Sequence, residues 1–408
     1  MIAYLTRFLS RISRAVFHST PKASSALPLA IALIGFLLIA PALRAQPVIK
    51  PSPPQLSAKS YLLMDARTGD LLIEHNIDEQ LPPASLTKMM TSFIASEEIA
   101  RGRLKYSDKV LITDNAWKKG GAKSGGSTMF LNPRTEVSVA ELLRGIIIQS
   151  GNDAAIAIAE HIAGGESAFA DVMNQQAQEL GMYGSRFENA TGWPAEGHVS
   201  TARDLALLAQ AIIYRHPEDY ALYKEKSYEY NGIKQNNRNR LLFRDKSVDG
   251  LKTGHTEAAG YCLVSSAERD GMRLITVVMG TASDAVRAEE SQKLLSYGFR
   301  YYETAQLFAA GHTFDPARVW AGEEESVKLA LADELVLTIP RGARDSLTAN
   351  ASVDSTIMAP IEKGQALGEL VISLKGETLA TRPLVADAAV EEAGFFGRLW
   401  DRLMLKFE

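Results

Sequence analysis

Three short strings stand in one order along the chain: Ser85-Leu86-Thr87-Lys88, Ser150-Gly151-Asn152 and Lys252-Thr253-Gly254. Their residue types supply the parts of a serine acyl-transfer site. A serine hydroxyl is a poor nucleophile until a base takes its proton. Lys88 is the candidate base, because at i+3 on one helix it shares a face with Ser85. An amine serves as a base only when partly neutral. Burial lowers its proton affinity and a second cation lowers it further, a part open to Lys252. Proton abstraction is therefore assigned to Lys88, and attraction of a substrate carboxylate to Lys252. Ser150 can relay a proton toward the leaving amine, and the Asn152 amide offers a donor and an acceptor to a peptide backbone. Thr253 would meet the substrate's terminal carboxylate, while Gly254 lets backbone approach closely because it lacks a Cβ. The backbone N–H groups of Ser85, at the positive end of its helix, and of His255 are the natural oxyanion donors.

The first string alone carries little. Ser-x-x-Lys arises about once or twice by chance at average residue usage, and Ser19 with Lys22 is such an accident. Ser-x-Asn and Lys-Thr-Gly each occur once, so the ordered co-occurrence of all three is the signal.

The elements that must position these residues are legible around them. Tyr61 to Met64 and Leu71 to Glu74 read as strands about the turn Ala66-Arg67-Thr68-Gly69. Pro82 and Pro83 set up a helix with Ser85 in its first turn and Met89, Met90, Phe93 and Ile94 as apolar positions. Ser138 and Glu141 form a capping-box pattern opening the apolar segment Val139 to Ile148. The second string interrupts that segment, and a helix from about Asp153 to Ala163 follows and stops at Gly164-Gly165. Further helices are expected near 167 to 180 and 201 to 214, the latter capped by Ser200. A long polar stretch leads to the third string. Beyond it, Tyr261 to Glu268 and Met272 to Met279 flank Asp270-Gly271, a strong hairpin signal. Strands at both ends of the region with helices between them predict an α+β fold, an antiparallel sheet flanked by helices. From about residue 307 short Val, Leu and Ile runs punctuated by Arg341-Gly342, Lys363-Gly364 and Lys375-Gly376 predict a small all-β domain.

At the level of the whole chain, 408 residues allow two or three domains, and a net charge of −4 gives no basic footprint for nucleic acid. The single cysteine, Cys262, excludes an internal disulfide and reads as a buried small hydrophobe in the run GYCLVSS. The seven histidines show neither HExxH nor zinc spacing with a cysteine, so no metal is expected. Arg7, Arg11, Arg14 and Lys22 precede an apolar stretch from Leu27 to Ala40, the pattern of an export signal over 1–45. Cleavage after Ala42 satisfies the small-residue rule through Ala40, whereas cleavage after Ala45 would place Leu43 at the outer subsite; an uncleaved anchor is the alternative. A Pro-rich linker occupies 46–56. The string GGAKSGGST at 120 to 128 lacks the Gly-Lys-Ser/Thr ending of a phosphate loop and reads as a polar loop at the rim of the site.

The catalytic part, placed at 57–305, resembles the low-molecular-mass penicillin-binding proteins that are D-alanyl-D-alanine carboxypeptidases. Beyond the three strings, LPPASLTKMMT, IIIQSGNDAA, ENATGWP, STARDLALLA and LLSYGFRYYET carry the likeness. A β-domain at 306–389 and an amphipathic helix at 390–408 complete the family's layout. The resemblance implies a β-lactamase/transpeptidase-like fold and removal of the terminal D-alanine from peptidoglycan pentapeptide through an acyl-enzyme on Ser85. It also implies no cofactor, and acylation by β-lactams. By the same resemblance Arg287 helps bind the terminal carboxylate, against the reading that a lone Arg in a helical segment is a solvated surface charge.

Three rivals stand beside this reading. A class A β-lactamase uses a Glu-activated water, and no Glu-x-x-Leu-Asn string occurs here. A D,D-endopeptidase cutting cross-links uses similar motifs, but those resembling this chain usually lack the added β-domain. A non-catalytic wall-binding scaffold would not need Ser85 and Lys88.

At the C-terminus, Phe395, Phe396, Leu399, Trp400, Leu403 and Phe407 fall on one arc of a helix flanked by Arg398, Arg402 and Lys406, and Leu405 breaks the pattern. The segment is too short to span a bilayer. It is expected to hold the protein peripherally on the outer face of the inner membrane, in the periplasm, the alternative being a helix docked on the protein's own β-domain.

Overall fold

The computed structural model describes residues 51 to 405, so the export signal, the first residues of the linker, Lys406 and Phe407 lie outside the described residues. The chain divides into two compact units, one built from Pro51–Thr304 and one from Ala305 onward.

The first unit is α+β around a five-stranded antiparallel sheet. Its strands run in the order Leu71–His75, Ser60–Asp65, Met272–Thr281, Gly260–Arg269, Val248–Thr256. Side chains alternate across a strand, and here both faces are covered. Leu62, Met64, Val264, Ile275 and Val277 join the core shared with the helices Lys88–Ala100, Asn152–Ala163 and Ala202–Arg215. Leu63, Leu263, Leu274 and Val278 turn the other way and pack with Leu294 and Leu295 of the helix Asp284–Tyr301. The central strand Met272–Thr281 therefore carries the near-continuous apolar run Leu274-Ile275-Thr276-Val277-Val278-Met279. The hairpin expected at Asp270-Gly271 forms, with both residues at positive φ (51° and 79°), as a two-residue turn matched to strand twist requires.

The helix Lys88–Ala100 lies at the centre, with Met89, Met90, Phe93 and Ile94 all at most 2% exposed. The Ser138–Glu141 capping box is present and starts the helix Val139–Arg144. The expected single helical run then widens into a π-helical turn, Gly145–Gln149, before the chain breaks at Ser150. The helix Ala202–Arg215 is capped by Thr201, whose hydroxyl accepts from Asp204 N at 3.1 Å; Ser200, the expected cap, instead pairs its backbone with Leu81 and its hydroxyl with Ser185. The polar stretch before the third string is structured as the hairpin Ser227–Tyr230/Ile233–Asn236 and the short helix Leu241–Arg244.

The second unit is a β-domain with a terminal helix. Six strands form one sheet, and the strand Tyr302–Phe308, leading in from the first unit, pairs with Leu335–Pro340. Val319, Leu329, Ile339, Leu370, Ile372 and Leu384 fill its core. The terminal helix, Phe395–Met404, buries none of its residues.

Candidate active site

A cleft of about 790 Å³ in the first unit is lined by Ser85, Ser150, Asn152, Thr253, His255 and Arg287 among others, so three separate strings meet at one place. The expected rim loop is there too, through Gly125, Gly126 and Ser127.

Ser85 sits in a 3₁₀ turn, Ala84–Thr87, that runs directly into the Lys88–Ala100 helix, one turn before the α-helix proper. Lys88 Nζ lies 3.1 Å from Ser85 Oγ and 2.6 Å from the Thr191 carbonyl oxygen. The residue is wholly buried. Burial pushes the Lys88 amine down to about 7, the Arg238 charge adds to the fall and the Asp153 carboxylate opposes it. Sequence reasoning gave Lys252 the part of the second cation; around Lys88 that part belongs to Arg238. Burial also holds Lys252 well below the lysine range, and the charges of Lys88, Arg238 and Arg287 push it the same way.

Ser150 is held at φ 59° and ψ 33° between the π-helical turn and the Asn152–Ala163 helix, a conformation few residues other than glycine adopt. Its hydroxyl accepts from Lys252 Nζ at 2.9 Å, and Lys252 also reaches the Thr253 carbonyl at 3.2 Å. Lys252 is 3% exposed and is not on the cleft wall, so its amine sits behind Ser150 and Thr253. Asn152 faces the rim, where a Cβ on Gly126 would come 2.5 Å from its amide nitrogen. Next to it, Asp153 is fully buried and accepts from Thr128 Oγ1 and from the Met129 and Leu131 N–H groups, tying the rim loop to the helix start.

The strand Val248–Thr256 is the edge of the five-stranded sheet, paired only with Gly260–Arg269. Its other edge meets the Ser85 turn. A Cβ at Gly254 would stand 2.8 Å from the Pro83 carbonyl oxygen, so the absence of a side chain there is a packing requirement. His255 lines the cleft and stacks on Tyr261 with ring centroids 3.9 Å apart. Arg287 is no solvated surface charge. It is 6% exposed, pairs with Asp284, and donates through Nη1 to the Gly254 carbonyl at 2.9 Å and the Cys262 carbonyl at 3.3 Å. Its guanidinium both lines the cleft and braces the strand that carries the third string.

Cys262 lies directly across from Gly254 in the sheet and is fully buried, and burial pushes its thiol up to about 11. Three cleft groups escaped sequence reasoning. Arg238 came from a polar stretch with nothing to mark one arginine among several. Thr191 contributes a main-chain carbonyl, which no side-chain motif encodes. Trp193 is a 40%-exposed aromatic on the cleft wall, a type expected in a core.

The comparisons agree with this geometry. Residues 47–283 match the family model described as D-alanyl-D-alanine carboxypeptidase, and residues 302–392 match the model described as Penicillin-binding protein 5, C-terminal domain. The D-alanyl-D-alanine carboxypeptidase DacC of Escherichia coli (strain K12) is 45% identical over 357 residues, 87% of this chain and 89% of that protein. DacA of the same strain is 43% identical over 360 residues, 88% and 89% of the two chains. The crystal structure of penicillin binding protein 5 from Haemophilus influenzae superposes with a TM-score of 0.80 at 41% identity, covering 84% of this chain and all of that one. With the three strings converged on one cleft, and a β-domain of the matching kind behind them in sequence, the chain belongs to the D-alanyl-D-alanine carboxypeptidase family.

Proposed function

We propose that the protein removes the terminal D-alanine from peptidoglycan pentapeptide through an ester formed on Ser85. The Ser85–Lys88 contact carries this reading: a nucleophile 3.1 Å from an amine whose burial brings it to about 7, half neutral near neutral pH. Lys88 Nζ takes the Ser85 proton as Oγ attacks the carbonyl carbon of the penultimate D-alanine. The Ser85 and His255 backbone N–H groups receive the developing oxyanion. The C–N bond then breaks, and the proton held on Lys88 passes by way of Ser150, whose hydroxyl is held by Lys252 at 2.9 Å, to the leaving amine, which leaves Lys88 neutral again. Water then attacks the ester, giving a proton to neutral Lys88, which hands it to Ser85 Oγ as the C–O bond breaks and the shortened peptide leaves. Asn152 aligns the peptide backbone. The departing residue's carboxylate contacts Thr253, with Arg287 beside it and the buried amine of Lys252 behind it.

A β-lactam presents the same acyl group on a ring that stays attached after opening, so it acylates Ser85 without losing a fragment. The endopeptidase alternative is weaker, because the chain carries the β-domain of the carboxypeptidase relatives. The test gives the protein a pentapeptide ending in D-Ala-D-Ala and, separately, a cross-linked dimer. D-Alanine release should dominate, and faster dimer cleavage would overturn the assignment.

The protein is assigned to the periplasm, held peripherally at the outer face of the inner membrane. No helix among the described residues is long and apolar enough to cross a membrane. Support for a peripheral grip comes from the helix Phe395–Met404. Phe395, Phe396, Leu399, Trp400 and Leu403 are each at least 50% exposed, while Asp401 on the polar side accepts from Ala321 N at 2.8 Å. The helix thus rests on the β-domain by its polar edge and presents its apolar arc outward. At about 1 kcal/mol per apolar side chain, those five give roughly 5 kcal/mol, a reversible attachment that Arg398 and Arg402 would strengthen on anionic lipid.

A further inference from the structure

Lys88 Nζ has two close oxygen neighbours, Ser85 Oγ at 3.1 Å and the Thr191 carbonyl at 2.6 Å. They are not equivalent. A carbonyl only accepts, so an N–H of the amine must point at Thr191 whatever its protonation state. In the neutral amine this leaves the lone pair free to face Ser85 Oγ–H. The direction of the base is therefore set by where the Thr191 carbonyl is held.

That carbonyl lies in the short turn Thr191-Gly192-Trp193, and one side chain fastens the turn. Asn189 Oδ1 accepts from Thr191 N at 3.1 Å, Thr191 Oγ1 at 2.9 Å, Gly192 N at 2.8 Å and Trp193 N at 3.2 Å, while its Nδ2 donates to the Trp193 carbonyl at 3.0 Å. The turn is pressed on the nucleophile's own turn: Gly192 stands at φ +82°, and a Cβ there would lie 1.8 Å from the Ala84 carbonyl oxygen. We infer that Asn189 is the positioning residue for the base, its side-chain oxygen fixing the turn that aims the Thr191 carbonyl at Lys88 so that the amine's lone pair points at Ser85. This rests on the acyl-enzyme reading given above.

The charged and titratable groups around Lys88 are Arg238 from the polar stretch, Asp153 at the start of the Asn152–Ala163 helix, Lys252 on the edge strand, and His198, buried and kept neutral by burial, with Nε2 2.8 Å from Thr87 Oγ1. Arg238, Asp153 and Lys252 have no contact with Asn189, whereas its Nδ2 approaches His198 Nδ1 at 3.4 Å, so the Asp variant gives up that approach along with the Trp193 contact.

The test is the pH profile of acylation by a chromogenic cephalosporin, followed by stopped flow on the wild-type protein, Asn189→Ala and Asn189→Asp. Wild type should rise through a limb near pH 7 to a plateau. Asn189→Ala frees the carbonyl, so the plateau should drop roughly 10- to 100-fold, and the limb should move to lower pH because the ammonium loses its acceptor. Asn189→Asp keeps the accepting oxygen, gives up only the exposed amide donor and adds an anion. It should recover most of the plateau and shift the limb to higher pH by roughly half a unit or more. Opposite limb shifts support the inference. A limb that stays put in both variants overturns it, because a merely structural residue slows the plateau without moving the limb. If wild type itself gives no Ser85 adduct, the acyl-enzyme reading falls instead, so the two failures are distinguishable.

Discussion

At the scale of the residue, the cleft separates chemical jobs by burial. Ser85 reaches the cleft wall, while Lys88 and Lys252 lie buried behind it, and desolvation rather than a dedicated acid–base partner brings Lys88 to about 7. Removing the nucleophile leaves nothing else poised to form an ester. Ser85→Ala should lose at least ~10³-fold in turnover and show no added mass after incubation with a penicillin. A persistent stoichiometric adduct by intact-mass spectrometry would strip Ser85 of its role. The lysines should fail in a fixed order. Lys88→Arg should slow acylation by at least ~100-fold, since a guanidinium does not give up a proton at working pH. Lys252→Arg keeps a cation behind Ser150 and should retain a measurable fraction. Stopped-flow acylation at near wild-type rate in the Lys88 variant would mean that another group is the base.

At the scale of the element, three irregular pieces do the positioning: the 3₁₀ turn under Ser85, the left-handed Ser150 after a π-helical turn, and the Thr191–Trp193 turn. Gly192→Ala puts a methyl where the Ala84 carbonyl already is, at a φ that L residues avoid. It should cost about 1–3 kcal/mol, seen as a lower Tm, and slow acylation at least ~10-fold; a variant with wild-type Tm and rate would show that the two turns do not need to touch.

These pieces also mark what the sequence hid. The strings, the capping box, the Asp270-Gly271 hairpin and the helix around Met89 to Ile94 were legible because periodicity and turn chemistry are local. The π-helical widening at Gly145–Gln149 was not, since Ile146 to Ile148 serve an α- or a π-helix alike. Thr201 displaced Ser200 as the cap because either hydroxyl suits the pattern and tertiary pairing of Ser200 with Leu81 chose between them. Arg287 stood between a site role and a surface charge because a lone arginine carries no mark of burial. Arg238 and the Thr191 carbonyl act only through neighbours far along the chain.

At the scale of the whole molecule, the cleft and the terminal helix lie in different units, so catalysis and the proposed attachment should be separable. Truncation before Ala393 should leave hydrolysis of a soluble pentapeptide within about twofold, while co-sedimentation with anionic vesicles at moderate salt should be lost. Equal lipid binding by both forms would rule out the helix as the anchor. The lone cysteine offers one more reading of the molecule. Cys262 is the chain's only thiol, is sealed from solvent, and sits rung to rung with Gly254, its carbonyl sharing Arg287 with that residue. A thiol reagent can therefore reach it only when the fold opens around it, and parting of the active-site edge of the sheet is one such opening. The protein carries its own built-in clock for that opening, with no engineered label. A penicillin bound to Ser85 favours the closed state and should slow the modification of Cys262 under native conditions; identical labelling rates with and without the acyl group would mean that the edge strand opens independently of what the cleft holds.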